Sequence, residues 1–204
     1  MSRSPIVFVV DDDPAVRESL TLLLEQENLV VKTFESAEDF LGNCKPPLRC
    51  CAIVDIRMPG MDGLQLQAEL SRRGTLLPVI FLTGHGDIPM SVRAIKAGAV
   101  DFLTKPVTGA ALLESVQAAL GESERLRTQA KESHTAAARI AGLTERERQV
   151  MMLAVDGLPN KEIARRLGIS HRTVEIHKAR IMHKTGAETV LDLARIADAG
   201  GLRG

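Results

Sequence analysis

The amino-acid sequence predicts two domains of different fold class: an α/β domain with a doubly wound, five-stranded parallel sheet, followed by a smaller all-α domain. Two observations support this prediction. From residue 6 to about 130, short runs rich in β-branched residues alternate with amphipathic segments of helical length. From Thr144 onward, only helical patterns occur. Strict alternation of strands and helices is typical of parallel sheets that carry helices on both faces.

The α/β region divides into five strand–helix units, and we assign residues 1–125 to it. The predicted strands are IVFVV (6–10), VVKTF (30–34), CAIVDI (51–56), PVIFLTG (78–84) and VDFLT (100–104). The segments between them place apolar residues at three- and four-residue spacing, and a fifth helix is predicted over about 108–130. Asp13 precedes Pro14, so Asp13 is predicted to be the N-cap of the first helix.

The rest of the chain is predicted to form a linker and a compact helical domain. Residues 126–141 have a weak helical pattern, which we interpret as a linker or as an extension of the fifth helix. Residues 142–204 contain four helical segments: TERERQVMMLAVDG, NKEIARRLG, SHRTVEIHKARIMHKTG and ETVLDLARIADAG. Thr144 and Glu147 have the spacing of a capping box, which marks the start of the first of these helices.

Composition and charge exclude several classes of protein. No apolar run approaches the ~18 residues that a membrane helix needs, and the apolar stretch at 6–10 is too short for a signal peptide. The three cysteines, Cys44, Cys50 and Cys51, lack a metal-binding spacing and indicate free thiols in a reducing compartment. We therefore expect a cytoplasmic protein with no membrane partner. Residues 142–204 are mildly basic, with 11 basic and 8 acidic side chains.

Polar side chains follow four of the predicted strands, at the point where each strand ends. Asp11 and Asp12 follow the first strand, Asp55 belongs to the third, Thr83 to the fourth, and Lys105 follows the fifth. Each residue alone is compatible with an ordinary turn, cap or solvated side chain. In an open parallel sheet, however, ligands bind beyond the carboxyl ends of the strands. The five side chains together therefore predict a binding site at this edge of the sheet.

The residue types at this edge indicate metal-assisted phosphoryl chemistry. Neighbouring carboxylates repel one another, and hard oxygen ligands suit Mg²⁺ (or Mn²⁺). Lys105 can offset the charge of a phosphoryl group, and a carboxylate can accept that group as an acyl phosphate. The sequence has no Gly-rich phosphate loop for ATP. The phosphoryl group is therefore expected to come from a phosphorylated partner or a small donor.

A helix–turn–helix pattern is the main feature of the C-terminal region. In NKEIARRLGISHRTVEIHKARIMHKTG, a turn at Gly168 and Ser170 separates two helices. On a helical wheel, Val174 and Ile181 share one face of the second helix, and the opposite face carries Arg172, Ile176, Ala179, Arg180 and His183. This face suits a DNA major groove, where apolar side chains meet thymine methyls and arginine reaches phosphate or guanine. A solvated cationic face has the same pattern, so the wheel alone leaves both interpretations open.

Residues 5 to about 125 resemble the receiver domain of two-component response regulators. The matching motifs are DD at 11–12, VDIRMPGMDG, FLTGHGD and DFLTKP. The resemblance implies a flavodoxin-like fold in which Asp55 is phosphorylated. The metal ligands that it implies are Asp11, Asp12, Asp55 and the main-chain carbonyl of Arg57. It further implies that Thr83 and Lys105 sense the phosphoryl group. Thr83 and Phe102 are then the switch residues. Such a domain catalyses only its own phosphoryl transfer and dephosphorylation, so no further enzyme activity is expected.

Asp11 and Asp13 also form the D-x-D pattern of aspartyl-phosphate hydrolases, but Ala15 stands where that family has Thr or Val.

The segment LTERERQVMMLAVDGLPNKEIARRLGISHRTVEIHKARIMHKTGA is similar to LuxR-type helix-turn-helix domains. This resemblance implies that the second helix enters the major groove and that a last helix, about 189–199, mediates dimerisation on DNA. Together with the helical wheel, it predicts DNA contacts from Arg172, Thr173, Glu175, Ile176, Lys178, Ala179 and Arg180. Many members of the family carry Lys at the position of Glu175. A glutamate there loses a phosphate or guanine contact and favours the amine of cytosine.

The combined motifs resemble the FixJ subfamily of these regulators. That resemblance implies an activator of nitrogen fixation genes under oxygen control, with a FixL-like, haem-based sensor histidine kinase, promoter DNA and RNA polymerase as partners. It also implies that phosphorylation produces a homodimer through a face that contains Val92 and Lys96. The alternative is a phosphorylated interaction module whose helical domain binds a protein. Salt dependence separates the two, because DNA binding releases counterions as phosphates are contacted.

Overall fold

The computed structural model describes residues 4–44, 46, 49–84 and 88–202. The chain divides into two units, the first ending at Arg127 and the second beginning at Thr128. Residues 85–87 of the FLTGHGD motif lie outside the described residues. None of the helices formed by the described residues combines the length and the hydropathy that a membrane span requires.

The first unit contains the predicted five-stranded parallel sheet. Its strands are β1 (Ile6–Val10), β2 (Val30–Phe34), β3 (Cys50–Val54), β4 (Val79–Thr83) and β5 (Asp101–Thr104), in the spatial order β2-β1-β3-β4-β5. All neighbouring pairs are parallel. The intervening helices are α1 (Pro14–Gln26), α2 (Ala37–Asn43), α3 (Gly63–Arg72), α4 (Ile88–Lys96) and α5 (Gly109–Ala141).

Helices cover both faces of this sheet, which confirms the doubly wound prediction. Alternate strand residues belong to two separate cores, because successive side chains of a strand point to opposite faces. On one face Phe8 and Phe81 pack with residues of α2, α3 and α4, including Phe40 and Leu66. On the other face Val9 and neighbouring strand residues pack with α1 and α5. Strand order reverses between β1 and β3, and this is where an open sheet binds ligands.

The second unit consists of the last part of α5 and four further helices. These are α6 (Glu145–Val155), α7 (Asn160–Leu167), α8 (His171–Thr185) and α9 (Val190–Ala199). The sequence leaves residues 126–141 open as a linker or as an extension of the fifth helix, and α5 continues to Ala141, so the extension is what the structure contains. The reason is tertiary packing: Ala136 and Ile140 are buried, and both lie against Gly200 at the end of α9. The weak helical pattern of this stretch reflects a helix with a narrow buried face.

Candidate functional sites

Three carboxylates meet at the carboxyl ends of β1 and β3. The parallel register places Val10 opposite Val54, so the residues that follow these strands are neighbours, and the amide of Asp55 donates to the carbonyl of Val10 at 2.8 Å. Carboxylate oxygens of Asp11, Asp12 and Asp55 lie within 4.8 Å of one another. Asp11 is buried, Asp55 is half-buried and Asp12 is exposed. The structure therefore brings together the three side chains that the sequence predicts as metal ligands.

Lys105 bridges two of these carboxylates. Its Nζ lies 2.6 Å from Oδ2 of Asp11 and 3.3 Å from Oδ2 of Asp55. Burial raises the pKa of the Asp11 carboxyl, and the hydrogen bond from Lys105 offsets only part of that effect. Burial also lowers the pKa of Lys105, but the two carboxylates outweigh it and the net pKa is raised. Lys105 is therefore held as a cation beside Asp55.

The other predicted residues of this site lie around the acidic cluster. Thr83, the last residue of β4, is buried, and its carbonyl accepts from the amide of Lys105 at 2.8 Å. Phe102 is half-buried on β5, opposite Phe81 of β4. The amide of Arg57 donates to Oδ1 of Asp55 at 3.4 Å. Metal binding by the Arg57 carbonyl and rotation of Phe102 stay predictions.

Two residues that sequence reasoning missed hold the loops of the site. Arg17 donates from Nη1 to the carbonyl oxygens of Asp11, at 2.7 Å, and Asp12, at 3.0 Å. Glu38 of α2 accepts from the amide of Met61, in the loop after β3, at 2.9 Å. Arg17 lies one turn after the N-cap Asp13, so helical spacing would have found it. The sequence contains no comparable signal for Glu38, because its contact joins two separate segments.

Gly63 shows how closely the first turn of α3 approaches the acidic site. Its amide donates to the carbonyl of Ile56 at 2.9 Å. A Cβ on residue 63 would overlap the main-chain oxygen of Asp55 and lie 3.0 Å from the Cα of Ile56. Only glycine therefore allows α3 to start against the backbone that carries Asp55.

The helix–turn–helix of the second unit is formed by α7, a short turn and α8. Gly168 has a φ of +64°, a left-handed conformation that glycine adopts without strain. Ser170 is the N-cap of α8, and its side chain accepts from the amide of Thr173 at 3.0 Å. Val174 and Ile181 are fully buried in the core of the unit. They fix which side of α8 faces solvent.

The exposed side of α8 carries the predicted DNA-contacting residues. Ile176 is 42% exposed, so an apolar side chain faces solvent here. Exposed side chains at the other predicted positions are Arg172, Glu175, Ala179 and Arg180, while Thr173 and Lys178 are half-buried. Glu175 lies 3.7 Å from both His171 Nδ1 and Arg172 Nη1. Contact of these residues with DNA stays a prediction.

One further residue in this region was not predicted. Asn160, the first residue of α7, accepts from Nζ of Lys178 through Oδ1 at 2.9 Å. The contact joins residues eighteen positions apart on two helices. Helical periodicity describes one helix at a time, so it could not reveal this pair.

The predicted dimerisation residues lie on α4. Val92 and Lys96 are both exposed, and Ile88 and Ile95 extend the exposed apolar surface of the same helix. The structure thus places both residues at the surface, and Val92 lies within an apolar stripe. Dimerisation through this surface stays a prediction.

Comparison with known families accounts for both units. Residues 7–117 match the model of the response regulator receiver domain, and residues 141–197 match the model of bacterial regulatory proteins of the luxR family. The chain belongs to the response regulators. This response regulator is 48% identical to the transcriptional regulatory protein FixJ of Azorhizobium caulinodans, over 99% of this chain and 96% of that protein. It is 41% identical to nodulation protein W of Bradyrhizobium diazoefficiens, over 98% of this chain and 88% of that protein.

A solved structure gives the same result. The response regulator StyR superposes with a TM-score of 0.78 at 41% identity, covering 96% of this chain and 99% of StyR. The sequence-based assignment to FixJ-like response regulators with a LuxR-type domain is therefore confirmed. Membership of this family implies regulation of transcription by phosphorylation, a sensor kinase as partner and DNA as target.

The acidic cluster fits the metal that receiver domains bind. Receiver domains bind Mg²⁺ at an acidic pocket, and the oxygens of Asp11, Asp12 and Asp55 form such a pocket in this response regulator. Carboxylate oxygens are hard ligands, and Mg²⁺ commonly joins one or two carboxylates to a phosphoryl group. When bound, the ion neutralises charge on that group during transfer.

Proposed function

We propose that this response regulator accepts a phosphoryl group on Asp55 from a partner histidine kinase, dimerises, and binds promoter DNA through α8 to activate transcription. One observation carries the proposal. The Asp55 carboxylate lies beside two further carboxylates and beside the ammonium of Lys105, whose Nζ is 3.3 Å from Oδ2 of Asp55. A half-buried carboxylate with a fixed cation beside it is well placed to accept a phosphoryl group.

The transfer itself uses the chain's own side chains. An oxygen of Asp55 attacks the phosphorus of a phosphohistidine, the P–O bond forms as the P–N bond breaks, and the leaving imidazole keeps the electron pair and takes up a proton. Lys105 stabilises the charge on the phosphoryl oxygens, and Thr83 supplies a hydroxyl to one of them. Asp11, Asp12, Asp55 and the Arg57 carbonyl would hold Mg²⁺. Phosphoryl transfer to Asp55 and its later dephosphorylation are the only reactions in this proposal.

Dimerisation is proposed to use the exposed surface of α4. Ile88, Val92 and Ile95 are all exposed, at 80%, 45% and 48%. Removal of such an apolar stripe from water favours association by roughly 25 cal/mol per Å², and Lys96 adds a charge that can select the partner surface. Two linked DNA-binding units would then bind two half-sites together, which raises the effective concentration of the second unit.

We further propose that the signal is oxygen, which a FixL-like, haem-based kinase senses. In this proposal the regulator acts in the cytoplasm on nitrogen fixation genes and recruits RNA polymerase to their promoters. The 48% identity with FixJ supports this assignment. The test compares the rates of phosphotransfer to the regulator from purified candidate kinases. A haem-based kinase should phosphorylate the regulator faster than kinases that sense other signals. Equal or slower transfer from the haem kinase would contradict the oxygen signal without affecting the role of Asp55.

Wild type and Asp55→Asn form the decisive pair for the general function. Each protein receives acetyl phosphate and Mg²⁺, and the mass in solution and the retention of DNA are measured. We expect a mass increase and tighter DNA binding for the wild type only. An Asp55→Asn protein that responds as the wild type does would remove Asp55 from the mechanism. DNA binding that does not weaken as salt rises would instead favour a protein partner for the helical unit.

A further inference from the structure

We infer that Asn160 and Lys178 form a phosphate-contacting pair on the DNA-binding surface, in which Asn160 positions the ammonium of Lys178. The inference rests on the proposed function, since it assumes that α8 faces DNA. Its basis is the 2.9 Å hydrogen bond from Lys178 Nζ to Asn160 Oδ1, which joins α8 to the first residue of α7. Both side chains are half-buried, and on the helical wheel Lys178 lies between the buried Val174 and the exposed Glu175, at the edge of the exposed face of α8.

The chemistry of the two side chains fixes the orientation of the amide. An ammonium only donates hydrogen bonds, so the carbonyl oxygen of Asn160 must face Lys178 and the NH₂ group must face away from it. Asn160 uses one of the three donors of Lys178, and two remain. In the described part of the chain the NH₂ group makes no hydrogen bond that competes with a ligand. The pair therefore offers two ammonium N–H donors from Lys178 and a separate amide NH₂ donor from Asn160 to phosphate oxygens.

Lys178 differs in this respect from the other predicted DNA contacts. Arg172 and Glu175 are near each other on the same turn of α8, and Thr173 bonds the neighbouring Ser170. Within the residues described, Lys178 alone among the predicted contacts is bonded to another helix. A lysine normally samples many rotamers, and fixing such a side chain during binding costs about 0.5–1.5 kcal/mol. Asn160 removes part of that cost before DNA arrives.

The surrounding charges favour an anion at this place. Lys161 follows Asn160 and is exposed. Glu162, the nearest acid on α7, is paired with Arg165 at 2.7 Å and Arg166 at 3.4 Å, so its charge is compensated. Lys178 therefore keeps its positive charge available to the surface.

The test measures the salt dependence of binding to a labelled duplex of mixed sequence. Phosphate contacts dominate such non-specific binding, so the natural operator is not needed. The full-length wild type, Asn160→Ala, Lys178→Ala and the double variant are compared in the presence of acetyl phosphate and Mg²⁺. We expect Asn160→Ala to bind about 3- to 10-fold more weakly, and Lys178→Ala to lower the slope of log K against log salt by about 1.

The double variant separates positioning from a structural role. If Asn160 acts through Lys178, Asn160→Ala should change binding little in the Lys178→Ala background. Asn43→Ala, which removes an exposed asparagine of α2 that bonds Asp39, is the matched control and should bind as the wild type does. An Asn160→Ala protein with unchanged affinity, or the same loss with and without Lys178, would overturn the inference alone. A wild type without salt-dependent binding would overturn the proposed function and this inference together.

Discussion

The acidic site of the first unit and the exposed face of α8 in the second both depend on charged side chains, but different kinds of structure position those charges. The acidic site collects residues from three strand ends, with Asp11, Asp55 and Lys105 far apart in sequence, and burial makes each charge depend on its neighbours. The face of α8 presents residues from one helix, and most of them are exposed. A substitution should therefore have wide effects in the first case and local ones in the second.

Gly63→Ala tests how strictly the backbone of the acidic site is fixed, and it has the largest expected effect. The new Cβ would overlap the main-chain oxygen of Asp55. Because that oxygen is backbone, relief requires a shift of α3 or of Asp55 itself. We expect a loss of about 2–3 kcal/mol in the free energy of unfolding and slower phosphorylation by acetyl phosphate. Thermal unfolding and phosphate-affinity gels measure the two effects.

Gly42→Ala is the matched control for this substitution. A Cβ at residue 42 meets nothing within 4 Å, and the residue lies within α2. Alanine should therefore stabilise the helix by about 0.5–1 kcal/mol and leave phosphorylation unchanged. If both variants phosphorylated at the wild-type rate, the position of the Asp55 backbone would not limit the reaction.

Glu147→Gln tests whether a buried charge in the helical unit has effects as wide as those expected at the acidic site. Glu147 is 2% exposed and accepts from Lys184 Nζ at 2.7 Å and from the amide of Thr144 at 2.8 Å. The hydrogen bond from Lys184, with those from Thr144, lowers the pKa of Glu147 to about 2. Glutamine keeps the cap but loses the charge, so we expect about 2 kcal/mol less stability for this unit. Urea denaturation with hydrogen exchange of α6 and α8 measures it.

The pH dependence provides an independent check of the same residue. A folded pKa below the ordinary value of 4.5 means that the carboxylate stabilises the fold above pH 4.5. That contribution is lost as the pH falls toward about 2. The Glu147→Gln protein should lack this part of the pH dependence, whereas Glu162→Gln, on the surface of α7, should retain it. A Glu147→Gln protein with the wild-type pH profile would contradict the role of the ion pair.

The sequence predicted the elements that local patterns define and missed the contacts that join separate segments. Strand ends, the Thr144 capping box and the buried face of α8 follow from periodicity and cap chemistry, and the structure contains all three. The clustering of Asp11 and Asp55 followed from the topology of a parallel sheet. The Lys178–Asn160 and Glu38–Met61 bonds did not, because no periodic signal relates these positions. The choice between a linker and a helix extension at residues 126–141 stayed open for the same reason, because the burial of Ala136 and Ile140 is a tertiary effect.

Asp13→Asn has the smallest expected effect, although residue 13 adjoins the acidic pair. The side chain of Asp13 accepts from the amide of Ala15 at 2.9 Å and caps α1, while its own amide donates to Oδ1 of Asp11 at 2.9 Å. Asparagine caps helices as well as aspartate does, and a side-chain substitution leaves the amide in place. We expect a change below about 0.5 kcal/mol in stability and normal phosphorylation.

Asp11→Asn is the contrasting variant, because it has the same chemical change two residues away. It removes the charge that Lys105 contacts at 2.6 Å and one of the three carboxylates of the predicted metal site. Phosphorylation by acetyl phosphate at several Mg²⁺ concentrations should therefore be impaired in Asp11→Asn and unchanged in Asp13→Asn. Equal impairment of both variants would show that Asp13 also belongs to the acidic site. Two results together would show that the side chain of Asp13 acts as the N-cap of α1. Asp13→Asn should be phosphorylated normally, and Asp13→Ala should lose about 1 kcal/mol in the free energy of unfolding.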